Sequence, residues 1–211
     1  MVDVKINLID IGSRGGFSSP WKNNFKHINY LLRCDPRNDE NVINESFSTY
    51  SYAISHIEGI SDLYILKKQN NSSLFKPNFN VIEEDRKNDF EIDQIKKIKC
   101  VRLDTILSNI KHEFDFLKVD SQGGDLSVIK SLGKYIDDIT AIHLEAYNVS
   151  IYEGIPLFNE INRYLVEKGF YNTNALIRKN KSLSFDDYLY IKKDEIKIEK
   201  KELIKRLYNI L

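Results

Sequence analysis

Long apolar runs are missing from this chain. No stretch of about 18 apolar residues occurs anywhere, so a transmembrane helix is not expected. Cysteine is scarce: Cys34 and Cys100 are the only two, they lie in separate apolar segments, and no CxxC spacing exists. Neither a disulfide framework nor a structural zinc site is indicated, and a reducing, cytoplasmic setting fits best. No His/Cys/Asp cluster has the spacing of a ligand set, so no required metal is expected. An excess of charge of either sign is also absent, because 31 basic and 31 acidic side chains cancel. Nothing is then left over to neutralise a phosphate backbone or an anionic membrane, which argues against nucleic acid as a partner. The first residues, Met1 to Asp10, lack the apolar core of a signal peptide and alternate like a strand.

What is present suffices for a core. Apolar residues make up 42% of the 211 positions, enough for one domain covered on two faces. Ile6 to Ile11 reads as a strand running into the turn-forming cluster Gly12-Ser13-Arg14-Gly15-Gly16, with a helix expected from Phe17 to His27. Tyr30 to Cys34 is a second strand, stopped at Asp35-Pro36 because proline removes an amide donor. A short helix is expected over Asn38 to Ser46 and a third strand over Thr49 to Ile54. Strands alternating with helical stretches imply a parallel sheet with helices on both faces. From Ser61 to Lys99 the pattern turns charged and Asn-rich around short strands at Leu63 to Leu66 and Ile98 to Arg102, which reads as an inserted arm or lid at 61–99. Alternation then resumes: a strand from Phe114 to Asp120, a helix from Asp125 to Leu132, and a strand from Thr140 to Ala146. The helix from Leu157 to Lys168 places Phe158, Ile161, Leu165 and Val166 on one face and is capped by Gly169. Strands near Tyr171 to Ile177 and Tyr188 to Lys192 close a hairpin through residues 178–181. The stripe Ile196, Leu203, Ile204, Leu207 and Leu211 makes a C-terminal helix over 194–211, read as packing on its own core, with a second copy of the chain as the other candidate partner.

A loop leaving the first strand of a parallel sheet lies at its carboxyl edge, where ligands bind in open α/β folds. Glycines there let the backbone approach a ligand closely. The loop is neither a Walker P-loop nor a good Gly-x-Gly-x-x-Gly fingerprint. Asp35 ends the second strand, 23 positions after Gly12, about the strand-helix-strand length at which nucleoside binders of this architecture hold a ribose. These features do not separate S-adenosyl-L-methionine from NAD.

The segment Phe114 to Leu132, FDFLKVDSQGGDLSVIKSL, resembles the strand-to-helix motif of the FkbM family of S-adenosyl-L-methionine-dependent methyltransferases. Other matches follow in the family's order: Asp10-Ile11-Gly12 with Gly16, Asp35-Pro36, Ala53-Ile54-Ser55 with Gly59, Val101 to Leu107, Glu145, Tyr152-Glu153-Gly154 and Gly169-Phe170. Two departures stand out, Ser13-Arg14 in the first loop and Gln122 where the family often has glutamate. The resemblance implies a Rossmann-like, seven-stranded methyltransferase sheet, mostly parallel with one antiparallel hairpin strand near the C-terminus. It also implies methyl transfer to a hydroxyl of a sugar, glycan or secondary metabolite, as in polysaccharide biosynthesis. The competing readings are an NAD-dependent oxidoreductase and a non-catalytic binder of S-adenosyl-L-methionine.

On that resemblance the cofactor site comprises Asp10, Gly12, Arg14, Gly15 and Gly16 for the amino acid end, Asp35 and Pro36 for the ribose, Ile54 and Ser55 beside adenine, and Asp120. Candidate catalytic residues are Asp120, Glu145 and His143, with His143 more often a satisfied core residue than a base. The two-residue strand period sets Lys118 with Asp120 and His143 with Glu145, so a Lys118–Glu145 pair across adjacent strands is expected. Trp21 could cover a cofactor or a sugar ring, although packing in the core is its commoner fate.

Overall fold

The computed structural model describes residues 4–12, 14, 16, 19–173 and 184–210. The chain opens with β1 (Ile6–Ile11), whose burial is nearly complete because apolar residues occupy both faces of a central parallel strand. Two short 3-10 turns, Trp21–Asn23 and Phe25–His27, stand where a longer helix is expected, and lead into β2 (Ile28–Cys34). The short helix expected over Asn38 to Ser46 is replaced by the edge strand β3 (Val42–Ile43). Its cause is local: the Asn44 side chain accepts the amides of Ser46 and Phe47, at 3.0 and 2.8 Å, and so favours a turn over a helix. The third strand also starts earlier than expected and divides. β4 (Phe47–Tyr50) stays in the main sheet, whereas β5 (Ala53–Ile54) joins a second sheet with β6 (Gly59–Leu66) and, after the short helix α1 (Lys87–Phe90), β7 (Ile92–Val101).

The remaining elements are α2 (Leu103–Leu107), β8 (Phe116–Val119), α3 (Asp125–Lys130), β9 (Ala141–Tyr147), α4 (Phe158–Glu167), β10 (Phe170–Asn172), β11 (Phe185–Lys192) and α5 (Ile198–Leu207). The strand expected over Tyr171 to Ile177 overlaps β10, while its last residues and the hairpin turn at 178–181 fall outside the described residues. Among the described residues the main sheet has eight strands, in the order β10-β11-β9-β8-β1-β2-β4-β3, where seven are expected. Five of them, β9, β8, β1, β2 and β4, run parallel to one another; β11 is antiparallel to both β9 and β10, and β3 is antiparallel to β4.

Two apolar clusters cover the two faces. Ile9, Leu32, Leu117 and Ile142 meet α2, α3 and α4 through Leu103, Ile129 and Leu165, while Leu8, Leu31, Phe116 and Leu189 meet Trp21 and the α5 residues Leu203 and Ile204. The C-terminal stripe thus packs on its own core at Leu203, Ile204 and Leu207, although Ile196 is 66% exposed. Leu211 lies outside the described residues. Val166, assigned to the buried face of α4, is exposed, because the helical twist carries it away from Ile161 and Leu165. At the opposite edge from the ligand loops, Lys197 and Lys200 both reach the fully buried Asp115 carboxylate, at 2.9 and 2.7 Å, and tie α5 to the start of β8.

A third cluster fastens the arm. Tyr64, Leu66, Ile82 and Phe90 of the arm bury against Tyr147, Ile151, Tyr152 and Ile155 at the end of β9. Backbone bonds add to it: Asn78 donates to the Ile151 carbonyl and Glu153 to that of Lys76, each at 2.8 Å. The segment expected to be a loose surface insertion is therefore sewn to the carboxyl edge of the main sheet.

Asp125, which opens α3, is 1% exposed. One carboxylate oxygen accepts from Ser121 Oγ at 3.0 Å; the other is buried with no partner. Burial, and then the charge of Asp120, push its carboxyl up to about 7. The folded state therefore holds a proton that the unfolded chain releases near pH 4, so stability falls as pH rises from about 4 to about 7 and is flat above. Asp125→Asn is expected to remove this slope, worth up to about 1.4 kcal/mol per pH unit, and to gain most at pH 8. Urea unfolding of both proteins at pH 5 and pH 8 checks this; an equal difference at the two pH values would show that the carboxyl is not raised.

Candidate functional site

The parallel strands β1, β2, β8 and β9 all deliver their carboxyl ends to one edge, and a cleft of about 320 Å³ opens there. Its floor is built by the turns after those strands, and the arm supplies its other wall through residues 70–75, Arg86 and Phe90. The size falls at the lower end of the range for small-molecule pockets, about 300–1,000 Å³.

Gly12 turns the chain out of β1 at φ +77°, and a Cβ there would lie 1.9 Å from the Asp120 carbonyl oxygen. Its amide is bonded to the Cys34 carbonyl at 2.9 Å. Only glycine fits this place, and its fit draws the exits of β1, β2 and β8 together. Arg14 and Pro36 line the same cleft, as do Ile54 and Ser55 on the arm side. Gly16 has φ +103° and is exposed rather than lining the cleft, and Gly15 lies outside the described residues.

Asp35 is 1% exposed and faces the cleft with its hydrogen-bonding capacity filled. One oxygen accepts the Arg37 amide at 2.9 Å and Arg37 Nε at 3.1 Å; the other accepts the Arg14 amide and Arg37 Nη2, both at 3.1 Å. A carboxylate has about four lone-pair sites, and all are used here. The same arginines grip the arm: Arg37 Nη1 donates to the Gln69 carbonyl at 2.6 Å, and Arg14 Nη1 to Gln69 Oε1 at 2.9 Å.

At the other end of the cleft Asp120 and Glu145 stand either side of Gln122. The Gln122 amide nitrogen donates to Asp120 at 2.8 Å and to Glu145 at 3.2 Å, while its oxygen accepts from Tyr152 at 3.0 Å. Tyr147 donates to Glu145 at 2.5 Å. Burial first, then the Glu145 charge, hold the Tyr147 and Tyr152 hydroxyls well above the usual tyrosine range, so both remain donors. This network explains the amide: a glutamate at position 122 would set a third carboxylate between two others and could not donate to either. Gln122 adopts φ +51°, and the Ser73 hydroxyl of the arm braces its carbonyl at 2.6 Å.

Position along the strands, one step back from their carboxyl ends, places the other predicted residues elsewhere. Lys118 is aligned with Asp10 on one side and His143 on the other, so the three point to the α5 face of the sheet. Lys118 pairs with Asp10 at 3.4 Å and Asp120 at 3.7 Å, not with Glu145 as expected, because Glu145 lies two residues further along β9. Burial works against the Lys118 ammonium, yet Asp120 and Asp10 hold its pKa above the ordinary lysine value. Burial raises the Asp10 carboxyl against the pull of Lys118 and Arg33. Asp10 does not line the cleft and is paired with Lys118 instead. His143 is bonded to the Tyr208 hydroxyl of the C-terminal segment at 3.0 Å, lies 3.8 Å from Asp187 and does not line the cleft either. Trp21, 1% exposed, donates to Tyr208 at 3.2 Å within the same cluster.

Sequence reasoning missed Arg37, Gln122's bridging role, Tyr147 and the arm residues Gln69, Arg86 and Phe90. Tyr147 was within reach, since it shares a strand face with Glu145. The arm residues carry no signal in the sequence, because only folding brings them across the cleft. Among the described residues no group of three or more His, Cys, Asp or Glu side chains could hold a metal ion, and no helix is long and apolar enough to cross a membrane.

A comparison with curated proteins gave no match. Among solved structures, the crystal structure of Methyltransferase FkbM from Methylobacillus flagellatus KT superposes with a TM-score of 0.52 at 12% identity. The likeness covers 89% of this chain but only 43% of that one, and at this identity it speaks to the fold alone. The family model for the methyltransferase FkbM domain matches residues 12–171, from the Gly12 turn into β10, a span that takes in every cleft-lining residue except Ile11 and Phe185. By that match, and on the mostly parallel α/β sheet it shares with a solved member, the chain belongs to the methyltransferase FkbM domain family.

Proposed function

We propose that this chain uses S-adenosyl-L-methionine to methylate a hydroxyl oxygen of a sugar, glycan or secondary metabolite. The observation that carries the reading is the convergence of Gly12, Asp35 and Asp120 on one cleft at the carboxyl edge of β1, β2 and β8. The residues fit such a cofactor. Asp35 takes the ribose hydroxyls in exchange for the Arg37 guanidinium that now fills it, Ile54 and Ser55 border an adenine, and the side-chain-free turn at Gly12 admits the amino acid end beside Asp120. Bound there, the sulfonium supplies an electrophilic methyl group with a neutral thioether as its leaving group.

The chain's own part is to hold, orient and deprotonate the acceptor. Asp120 retains 43% side-chain exposure and takes one bond from Gln122, so it is free to accept the acceptor's hydroxyl proton. Glu145 already receives Tyr147 and Gln122, which suits it to positioning. Because the leaving group is good, alignment supplies much of the rate and the base only completes it. The arm at 61–99 acts as the cover of the acceptor side, keeping water from the reacting oxygen.

Calorimetric titration with S-adenosyl-L-methionine, S-adenosylhomocysteine and NAD tests the reading: saturable binding of the first two and none of NAD is expected, and preference for NAD would overturn it. Asp35→Ala should weaken S-adenosylhomocysteine binding by about 1–3 kcal/mol, read in the same titration on protein whose circular dichroism is unchanged. An unaltered affinity would remove Asp35 from the ribose site. Arg37→Gln, which takes away the competing guanidinium, should leave the affinity equal or higher. Gly12→Ala meets the Asp120 carbonyl and a left-handed φ that costs about 1–2 kcal/mol by itself. It is expected to lower the melting temperature and abolish cofactor binding together, which thermal unfolding with and without S-adenosylhomocysteine would measure.

A further inference from the structure

The arm brings a cation into the acceptor end of the cleft. Arg86 closes the 3-10 turn Glu84–Arg86 and lines the cleft with its neighbour Phe90. Its guanidinium carbon sits 5.4 Å from the centroid of the Phe90 ring, and among the described residues its side chain makes no hydrogen bond or ion pair. The other cleft arginines are committed: Arg37 to Asp35 and Gln69, and Arg14 to Gln69. Arg86 is held in place from behind, since Phe90 is 1% exposed and packs against Tyr152 at 5.8 Å between ring centroids.

Arg86 shares the cleft with Asp120 and Glu145. Tyr152 accepts the influence of both sides: burial, Glu145 and Asp120 raise its hydroxyl while the Arg86 charge pulls it down. That hydroxyl donates to Gln122, which in turn binds Asp120 and Glu145. The acceptor end therefore has two carboxylates on the sheet edge and one unpaired guanidinium on the arm. A guanidinium stacked on an aromatic ring keeps its in-plane N–H groups for a planar anion, and a carboxylate or phosphate is the group that matches its fork. A neutral acceptor would leave those donors to water.

We infer that the acceptor is a sugar-sized polyol bearing an anionic group, a carboxylate or a phosphate, which Arg86 binds so that the hydroxyl at the opposite end meets Asp120. This rests on the methyltransferase reading and adds the class of substrate to it. Arg86 makes the anion an aid to binding and repels a cationic acceptor, while the carboxylates repel the anion from the reacting end; together they fix which way round the acceptor lies.

The test uses the whole chain saturated with S-adenosylhomocysteine and titrates two probes, methyl glucuronoside and methyl glucoside, which differ in a carboxylate against a hydroxymethyl group. Binding of the glucuronoside at least about tenfold tighter than the glucoside, weakening as salt rises, is the expected result. Arg86→Gln should erase the preference with the S-adenosylhomocysteine affinity intact, and Arg86→Lys should keep part of it. Equal or tighter binding of the glucoside, a preference that survives Arg86→Gln, or no glucuronoside binding to a protein that binds S-adenosylhomocysteine would each overturn the inference and leave the methyltransferase reading standing. Failure to bind S-adenosylhomocysteine would instead sink that reading, before either sugar is added.

Discussion

The close approach of the Gly12 backbone to the Asp120 carbonyl is the contact on which the site depends. A side chain at position 12 would overlap that oxygen, so the turn after β1 can rest on the turn after β8 only because the residue is glycine. Once the two exits touch, the third neighbour follows: the Gly12 amide bonds the Cys34 carbonyl and sets Asp35 at the rim of the same cleft. Parallel pairing of β1 with both β2 and β8 makes this closure possible, since it alone brings three carboxyl ends to one edge.

Charge is managed around that closure by pairing each buried acid with a fixed donor. Asp35 has the Arg37 fork, Asp10 has Lys118, Asp115 has Lys197 and Lys200, and Glu145 has Tyr147 and Gln122. Such pairing is needed because an unpartnered charge out of water is strongly unfavourable. Asp125 lacks a cationic partner and answers in the other available way, by holding its proton to about pH 7. Asp120 keeps contact with solvent.

The arm joins fold and site. Its hairpin forms a separate three-stranded sheet with β5, yet its apolar underside is buried on the end of β9 and its tip is gripped by Arg14 and Arg37. The arm and Asp35 are thus mechanically connected through Arg37 and Gln69. A ligand that displaces Arg37 from Asp35 also loosens one of the bonds that hold the arm tip, beside those of Arg14 to Gln69 and Tyr152 to the Asn71 carbonyl.

The sequence by itself determined the parallel α/β class, the positions of β1, β2, β8 and β9, and the acids that end them, because apolar runs, Gly12 and Asp35-Pro36 are local signals that survive any tertiary context. It also carried the family, through the ordered motifs from Asp10 to Phe170, which the match over residues 12–171 shows. Boundaries in polar segments were out of reach: Asn44 turned an expected helix into an edge strand by a side-chain bond to its own backbone, and β5 left the main sheet for a partner more than forty residues away. Tertiary structure alone decided which acids face the cleft. Strand parity is readable from sequence, but where along each strand the cleft begins and where α5 covers the sheet are not, and these leave Asp10 and His143 outside the cleft while Glu145, on the same face as His143, lines it. The same holds for Arg37 on Asp35 and Arg86 opposite Asp120: each is an ordinary charged residue in the sequence, and only the folded chain gives it a carboxylate to hold or a cleft to face.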